Sequence, residues 1–308
     1  MQTSISTGKS RSGDSAFAMV KNFIARRSAY VLMLPGMLLL ALIMWPFLTG
    51  IWWSLSDVKG DGSTEFVGLS NYVDIFAPGN EGLQGLFTTL QFASTSLALE
   101  MLIGFAVAML LTWPKKWIKV FRTLVIIPLL LPPVVASIII RVMVTDRGVV
   151  NAMVEMLGFE RIAFLGQPIS AFWTVVAIDV WLTTPFVILI LLSGLQSVPQ
   201  EVLEASTVDG AGLLKKIWHI YLPLLRPFIV VVVIFRGIDA MKTFDSIWTS
   251  TQGGPLDTLR TLHIHGYQFA VQYRDFGRSM TFLVVLWILS NVLATVLLKR
   301  RRKDATDA

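Results

Sequence analysis

The sequence EVLEASTVDGAGLLKKIWHIYLPLLRP, from Glu201 to Pro227, lies between two long apolar segments. We call it the inter-span segment. It contains several charged residues, a helix-stopping glycine at Gly210 and two prolines. Each flanking apolar segment is long enough to cross a bilayer as a helix, which takes about 20 residues. The inter-span segment therefore lies in water at one membrane surface, where a helix-turn-helix insertion predicts a docking surface for another protein.

The composition of the whole chain is that of an integral membrane protein. Its 308 residues are 54% hydrophobic and 15% charged, with a mean hydropathy of +0.67, whereas soluble domains carry about 25% charged residues. The apolar character is continuous, unlike the alternation over about ten residues that barrel strands show. We therefore predict an all-α integral membrane fold with six spanning helices in one bundle. The predicted spans are Tyr30–Leu55, Phe87–Trp113, Val120–Val144, Ile169–Leu195, Phe228–Trp248 and Met280–Leu298.

The basic residues are concentrated in alternate loops. The formal charge of +6 and the pI near 9.6 could also indicate nucleic-acid binding. The lysines and arginines, however, cluster on one side of the predicted spans, and the loop after the first span on the other side is acidic. By the positive-inside rule, both termini and the inter-span segment should be cytoplasmic, so nucleic-acid binding is an unneeded assumption. The basic residues on that side include Lys21, Arg26, Arg27, Lys115, Lys116, Lys119, Arg122, Lys215, Lys216, Arg226 and Lys299–Lys303.

Local rules predict two helices in and just before the inter-span segment. The Ser197–Gln200 stretch has the spacing of a capping box, and the first helix should run to about Val208. Gly210 then supplies a chain reversal, because glycine adopts positive φ without steric cost. A second helix is expected from Leu213 to Tyr221, and Pro223 should end it. A solvated amphipathic hairpin resting on the membrane is the alternative interpretation.

The spacing of the inter-span segment resembles the EAA loop of ABC importer permeases. The motif positions are Glu204-Ala205-Ser206, Gly210, Ile220 and Leu222-Pro223. They are separated by three, nine and one residues, respectively. The family more often has a second alanine where this chain has Ser206, but serine is small enough for the same close approach. In that family, a cytoplasmic ATPase subunit binds the membrane subunit at this loop. The resemblance implies that Glu204, Ala205, Ser206, Gly210, Ile220, Leu222 and Pro223 form the ATPase-coupling site.

Further motifs extend the resemblance to the sugar-type branch of these permeases, as in maltose/trehalose-type membrane subunits. They are LQSVP at Leu195–Pro199, WLTTPF at Trp181–Phe186, TQGGP at Thr251–Pro255, and the pairs Phe235-Arg236 and Phe244-Asp245. The resemblance implies a type-I importer permease, multi-pass in a bacterial inner membrane. The expected organisation is a cytoplasmic tail over residues 1–28, a permease domain over 29–298 with its cytoplasmic loop at 196–227, and a second cytoplasmic tail over 299–308.

The same resemblance implies a transport subunit rather than an enzyme. A second, different permease would form a heterodimer with this chain, two cytoplasmic ATP-binding subunits would drive it, and an extracytoplasmic binding protein would deliver a sugar or polyol. The sequence contains no GxxxxGK phosphate loop. Gly8-Lys9-Ser10 matches only the last residues of that motif. ATP and Mg²⁺ are therefore expected on the partner ATPase, and no cofactor is expected on this chain. The absence of cysteine excludes thiolate metal sites, and no metal site is predicted.

Charged and aromatic residues of the fourth and fifth spans are candidates for the translocation pathway. Arg236, Asp239, Lys242 and Asp245 recur at three-residue steps, which predicts one helical face directed into the bundle. That face could be an ion-pair ladder that orders the permease interface, or it could contact substrate. Aromatic rings could stack on a sugar, and polar groups could form hydrogen bonds with its hydroxyls. The candidate residues are Trp181, Thr184, Phe235, Asp239, Phe244, Asp245 and Trp248.

Two acids in apolar surroundings leave a second class of function open. Glu100 and Asp179 could form the proton relay of an ion-coupled secondary carrier, or each could anchor a helix contact. Within ATP-driven import, another small polar solute such as an amino acid, a polyamine or a glycerol derivative is an alternative cargo. A non-transporting membrane scaffold is disfavoured, because the inter-span segment would then have no use.

Prolines and histidines carry less specific predictions. Pro128, Pro132 and Pro133 should kink the third span, either as a gate or to set crossing angles. His263 and His265 are expected at the surface of an external loop, since no third metal ligand lies nearby.

Overall fold

The computed structural model describes the backbone of residues 12–113 and 116–306 and the side chains of residues 33–113 and 117–299. The chain separates into two units, Met1–Trp52 and Trp53–Ala308. The first eleven residues of the predicted N-terminal tail, the turn at Pro114 and Lys115, and the last two residues of the predicted C-terminal tail lie outside the described residues.

Helices make up most of the described chain. They are α1 (Ser12–Ser54), α2 (Ser70–Ile75), α3 (Glu81–Leu111), α4 (Lys116–Ile126), α5 (Pro133–Met143), α6 (Val149–Met156), α7 (Pro168–Gln196), α8 (Gln200–Val208), α9 (Leu213–Lys216), α10 (Leu222–Met241), α11 (Asp245–Thr251), α12 (Leu262–Val271) and α13 (Phe276–Thr306). A 3-10 turn, Ile127–Leu130, follows α4, and a π-helical turn, Ile217–Tyr221, follows α9. Strands β1 (Ser56–Val58) and β2 (Thr64–Phe66) form an antiparallel hairpin.

Five helical stretches of the described chain are long and apolar enough to cross a membrane, and a bent helix pair can form a sixth span. The prediction of an all-α membrane fold is thereby confirmed. The predicted third span, Val120–Val144, is broken, because Trp117–Leu130 and Pro133–Met143 meet at 98°. Pro132 has an extended backbone (φ −58°, ψ 132°) and is followed directly by Pro133 at the start of α5. Since a residue that precedes proline is displaced from the helical region, this pair ends one helix and begins the next.

The inter-span segment runs without a break into the fifth span, so the prediction that Pro223 ends the second helix is wrong. The α9 helix, the π-helical turn and α10 follow one another directly. The N–H of Leu222 bonds to the carbonyl of Ile217, five residues back. Pro223 therefore lies in the first turn of a new helical register, where a missing N–H is tolerated. At its other end α10 stops at Met241, so the predicted span Phe228–Trp248 is divided between α10 and α11.

Three apolar clusters form the core of the second unit. One, next to the inter-span segment, joins α3, α7 and α10, and the other two lie toward the opposite ends of these helices. Gly104 allows α3 and α7 to approach closely, because a Cβ there would lie 2.7 Å from Cγ1 of Val187. Representative residues are Ala108, Leu191 and Leu225 in the first cluster, Phe92, Val175 and Ile247 in the second, and Phe269, Phe282 and Leu286 in the third.

His265 is buried, which contradicts its predicted surface position. It lies in α12 with 3% of its surface exposed, and its ring stacks on Phe282 with centroids 5.1 Å apart. Burial, together with the charge of Arg260, lowers the pKa of His265 to about 4. The imidazole is therefore a neutral core residue at physiological pH. His263 lies nearer the surface, and its Nδ1 is 2.8 Å from the carbonyl oxygen of Lys242.

Candidate functional site

The reversal in the inter-span segment is built as predicted around Gly210. This residue has φ +69°, the left-handed conformation that favours glycine. The N–H of Gly210 donates to the carbonyl of Thr207 at 3.1 Å, and the N–H of Ala211 donates to the carbonyl of Ser206 at 2.9 Å. These two bonds are the paired C-terminal cap known as the Schellman motif. They satisfy carbonyls at the end of α8 and fix the direction of the chain toward α9.

A side-chain contact braces the two helices of the inter-span segment. Nζ of Lys216 donates to Oγ1 of Thr207 at 2.7 Å, and Oγ1 of Thr207 donates to the carbonyl of Leu203 at 2.7 Å. The predicted capping box at Ser197–Gln200 does not form, because Pro199 is the N-cap residue and the hydroxyl of Ser197 donates back to the carbonyl of Gly194. The beginning of α8 thus depends on proline geometry rather than on a side-chain cap.

The predicted coupling residues occupy two parts of the inter-span segment. Glu204 and Ala205 are exposed on α8, and Ser206 is buried with its hydroxyl donating to the carbonyl of Leu203 at 2.7 Å. Ile220 and Leu222 are half-buried in and beside the π-helical turn. Exposed Pro223 is the second residue of α10. Helix α8 is therefore the accessible part of the predicted site, and the later residues join it to the spanning helix.

Four charged residues from three helices meet within the membrane-spanning bundle. We call Glu100, Asp179, Arg236 and Asp239 the ion cluster. Nε and Nη2 of Arg236 donate to the two carboxylate oxygens of Glu100 at 2.7 and 2.6 Å. Nη2 also reaches Oδ2 of Asp179 at 3.0 Å, and Nη1 donates to Asp239. One guanidinium therefore links α3, α7 and α10.

The ion cluster is buried except at one side. Glu100, Asp179 and Arg236 expose 0%, 4% and 3% of their surfaces, whereas the side chain of Asp239 is 69% exposed. The hydroxyl of Thr183 donates a further hydrogen bond to Glu100 at 2.8 Å. Buried charges are stable only when they are paired and hydrogen-bonded. The cluster is thus an anchor between helices, and Asp239 is its exposed member.

Glu100 and Asp179 are therefore not isolated acids. Of the two interpretations that the sequence left open, the helix anchor is the one that the structure shows. The sequence does contain a signal for this arrangement, because charges of opposite sign in different apolar spans of one bundle are expected to pair. Sequence reasoning compared only neighbours along the fifth span and so missed the contacts that Arg236 makes with α3 and α7.

The predicted face of four charges forms only in part, because Arg236, Asp239 and Lys242 line one cavity but Asp245 does not. Lys242 caps the end of α10, and Asp245 begins α11 after a break in the helix. Three-residue steps share a face only along a continuous helix. Arg236 and Asp239 keep that relationship within α10, and the other two partners of Arg236 come from different helices.

The structure divides the predicted pathway residues among three places. Phe235 and Asp239 line a cavity of about 360 Å³ beside the ion cluster, within the size range of small-molecule sites. Trp181 and Thr184 line a separate and mostly apolar cavity of about 620 Å³. The remaining lining of the smaller cavity is Leu129, Thr183, Phe186, Arg236, Ile238 and Lys242.

Phe244, Asp245 and Trp248 form the third place, at and just before α11. The rings of Phe244 and Trp248 stack with centroids 5.8 Å apart, and both contact Tyr267, at 4.9 and 4.7 Å. The two aromatic residues are thus engaged in packing between α11 and α12. Asp245 lies in the first turn of α11.

Comparison with known proteins gives the family of this chain. Residues 100–303 match the family described as binding-protein-dependent transport system inner membrane component. The chain belongs to this family. It is therefore a multi-pass transport subunit of the inner membrane rather than an enzyme. The matched range of the permease includes every residue of the ion cluster and the whole inter-span segment.

Curated relatives resemble the permease over nearly their full lengths. The trehalose/maltose transport system permease protein MalF of Thermococcus litoralis is 34% identical over 280 residues, which cover 89% of this chain and 94% of the relative. The sulfoquinovosyl glycerol transport system permease protein SmoG of Agrobacterium fabrum is 33% identical, with coverages of 91% and 92%.

A solved structure shares the fold of the permease. It is a crystal structure of a bacterial ABC transporter involved in the import of the acidic polysaccharide alginate. One chain of that transporter superposes with a TM-score of 0.80 at 20% identity, and the match covers 92% of this chain and 99% of that one.

Replacing Arg236 tests the anchoring role of the ion cluster. Arg236→Met leaves Glu100 and Asp179 buried without a cation, so we expect a loss of about 3–5 kcal/mol of stability. The thermal midpoint of the purified protein and its level in membranes should both fall. Asp239→Asn is the control, because that carboxylate is largely exposed and its loss should leave the midpoint near wild type. A wild-type midpoint for Arg236→Met would contradict the anchoring role.

Proposed function

We propose that this chain is one of two membrane subunits of an ATP-driven importer for a sugar or polyol. The second subunit is a different permease, two cytoplasmic subunits bind ATP and Mg²⁺, and an extracytoplasmic binding protein delivers the cargo. Family membership supports the dependence on a binding protein. The cargo class is supported by relatives named for the transport of trehalose, maltose and sulfoquinovosyl glycerol.

The observation that carries the ATP-driven mechanism is the connection between the exposed helix α8 and the ion cluster. The Schellman turn and the contact between Lys216 and Thr207 hold α8 against α9. The α9 helix continues through the π-helical turn into α10, which bears Arg236. A displacement of α8 by a docked ATPase would thus move α10, and Arg236 would pass the movement to α3 and α7 through Glu100 and Asp179.

The 360 Å³ cavity is the proposed cargo contact of this subunit. Phe186 and Phe235 offer apolar ring faces, and Thr183, Asp239 and Lys242 offer polar groups for hydroxyls. A sugar requires both kinds of surface, because its ring carries C–H groups on its faces and hydroxyls at its edges. An ion-coupled carrier is less well supported, since both acids that it would need are occupied by Arg236.

Gly210→Val tests the coupling role of the inter-span segment. Valine is strained at φ +69°, so the turn should distort, and ATP-driven uptake and the ATPase stimulation by loaded binding protein should each fall at least tenfold. The matched control is Gly212→Val. A Cβ at Gly212 would also lie in open space, but the φ of −66° and ψ of 166° there suit valine. The Gly212→Val variant should therefore retain near wild-type uptake.

The comparison is made on purified complexes with equal subunit content. Equal stimulation in wild type and Gly210→Val would contradict the coupling role. Glu204→Ala removes an exposed charge rather than the turn, and it should give a milder loss because charges at the rim of an interface mainly set orientation.

Asp239→Asn tests the cavity as the cargo contact. Uptake should fall at least tenfold, while the assembled complex and its thermal midpoint persist, because the exposed carboxylate contributes little to folding. Asp245→Asn provides the comparison, since Asp245 is not among the residues that line this cavity. An equally strong defect in Asp245→Asn would extend the pathway to α11, and normal uptake by Asp239→Asn would exclude the cavity.

The proposed orientation places both termini and the inter-span segment in the cytoplasm. It rests on the one-sided distribution of basic residues. Reporter tags after Ala308 and between Gly60 and Glu65, in the loop and the start of β2 of the hairpin, should be labelled from opposite sides of the membrane. Labelling of both tags from the same side would refute this topology.

A further inference from the structure

The cavity of about 620 Å³ follows one face of α7. Its α7 lining runs from Trp173 to Ile188 in steps of three and four residues, and this spacing keeps side chains on one side of a helix. We call this cavity the α7 groove. Its other wall comes from α3, α4 and the turn after α4, through Leu99, Ile103, Phe121, Leu124, Val125 and Pro128.

The lining of the α7 groove suits an apolar ligand rather than a sugar. None of the described residues that line it is charged, and its single hydroxyl group belongs to Thr184, which is only 6% exposed. A ligand hydroxyl that is buried without a hydrogen bond is unfavourable. The 360 Å³ cavity, in contrast, contains Asp239 and Lys242. The two cavities therefore differ in the chemistry that they can bind.

The groove is long and narrow. A helical rise of about 1.5 Å per residue places Trp173 and Ile188 about 22 Å apart along α7. The volume of the groove, spread over that length, gives a mean cross-section of about 28 Å². An α-helix with its side chains is at least about 10 Å wide, with a cross-section of about 80 Å². The groove can thus hold one extended chain of methylene groups, and a helix of another subunit is too thick to enter it.

The groove begins at the level of the lipid headgroups. The hydrocarbon core of a bilayer ends about 15 Å from its midplane. If the middle of α7 lies at that midplane, Trp173 is about 13 Å from it, a depth at which tryptophan is enriched in membrane proteins. A second apolar cavity, of about 390 Å³, shares Trp173 and Ala177 with the groove and continues to Ser170, near the first residue of α7.

We propose that the α7 groove binds one acyl tail of a membrane phospholipid, whose headgroup lies at the end of α7 that carries Trp173. The tail fills space between α4 and α7, since protein interiors tolerate few voids larger than a water molecule. Helix α4 is the first half of the broken third span, so the tail supports this half beside the break. The site is separate from the cargo cavity, and it requires neither an ATPase nor a binding protein.

A photoreactive lipid locates the site. The transporter is reconstituted with phosphatidylethanolamine that carries a diazirine in one tail, extracted into detergent and washed until loosely bound lipid is removed, and then illuminated. We expect peptide mass spectrometry to find the label on the groove-lining residues of α4 and α7. Label only outside the groove, or no label after washing, would overturn the proposal.

Ala177→Phe blocks the groove where the two cavities meet. Ala177 is exposed on the shared wall, so a phenyl ring there would occupy the path of the tail. Native mass spectrometry of the washed transporter should show one phospholipid fewer than in wild type, and the label on α4 and α7 should fall at least fivefold. Ala106→Phe is the matched control, because Ala106 is an exposed alanine of α3 that lines neither cavity. A full lipid complement in Ala177→Phe would refute the site.

A second substitution tests whether a protein covers the groove instead. Leu124 is 54% exposed on the α4 wall, and Leu124→benzoylphenylalanine places a photoreactive group there in the assembled transporter. We expect an adduct with the mass of a phospholipid. A crosslink to the second permease would show that a subunit occupies this face, and it would overturn the proposal even if Ala177→Phe failed to assemble.

Discussion

A buried guanidinium in a membrane bundle must be neutralised where it lies, and this requirement sets the arrangement around Arg236. Moving a charge out of water costs several kcal/mol unless a well-placed partner and hydrogen bonds compensate. Glu100 meets that need with two hydrogen bonds, and Asp179 adds a third. Because the partners come from α3 and α7, these helices can move relative to α10 only if the pairs break. Otherwise the three helices move together.

The continuity of the inter-span segment with α10 extends this constraint to the surface of the bundle. A flexible loop between α8 and α10 would let α8 move independently of α10. Instead, the two helices are joined by local contacts and a continuous helical path. These are the Schellman turn, the hydrogen bond between Lys216 and Thr207, and the π-helical turn that leads into α10. The π-helical turn and Pro223 lie where the helix enters the bundle, and a local change of helical register there is typical of functional positions.

The two ends of the bundle fix their exposed segments in different ways. At the inter-span segment, a short amphipathic helix is exposed and held by one glycine turn. At the opposite end, the loop between α11 and α12 has positive φ at Gln252, Leu256 and Asp257, and it is fixed by the buried side chain of Leu259 and by several hydrogen bonds.

The sequence by itself determined the features that depend on local chemistry. The long apolar runs required spanning helices, and the limits of α7 agree with its predicted span to within a residue. The positive φ of Gly210 followed from its place between two helical patterns. The coupling and pathway residues could be nominated, but their grouping could not, since three-residue spacing does not reveal a break such as the one between α10 and α11.

Only the tertiary structure decided which distant residues meet. Glu100 and Arg236 are 136 positions apart, and Asp179 and Arg236 are 57 apart, so no local period relates them. The burial of His265 likewise depends on neighbouring helices. The physical reason is that helix formation is governed by contacts within a few residues, whereas the neutralisation of a buried charge depends on what the packed bundle places beside it.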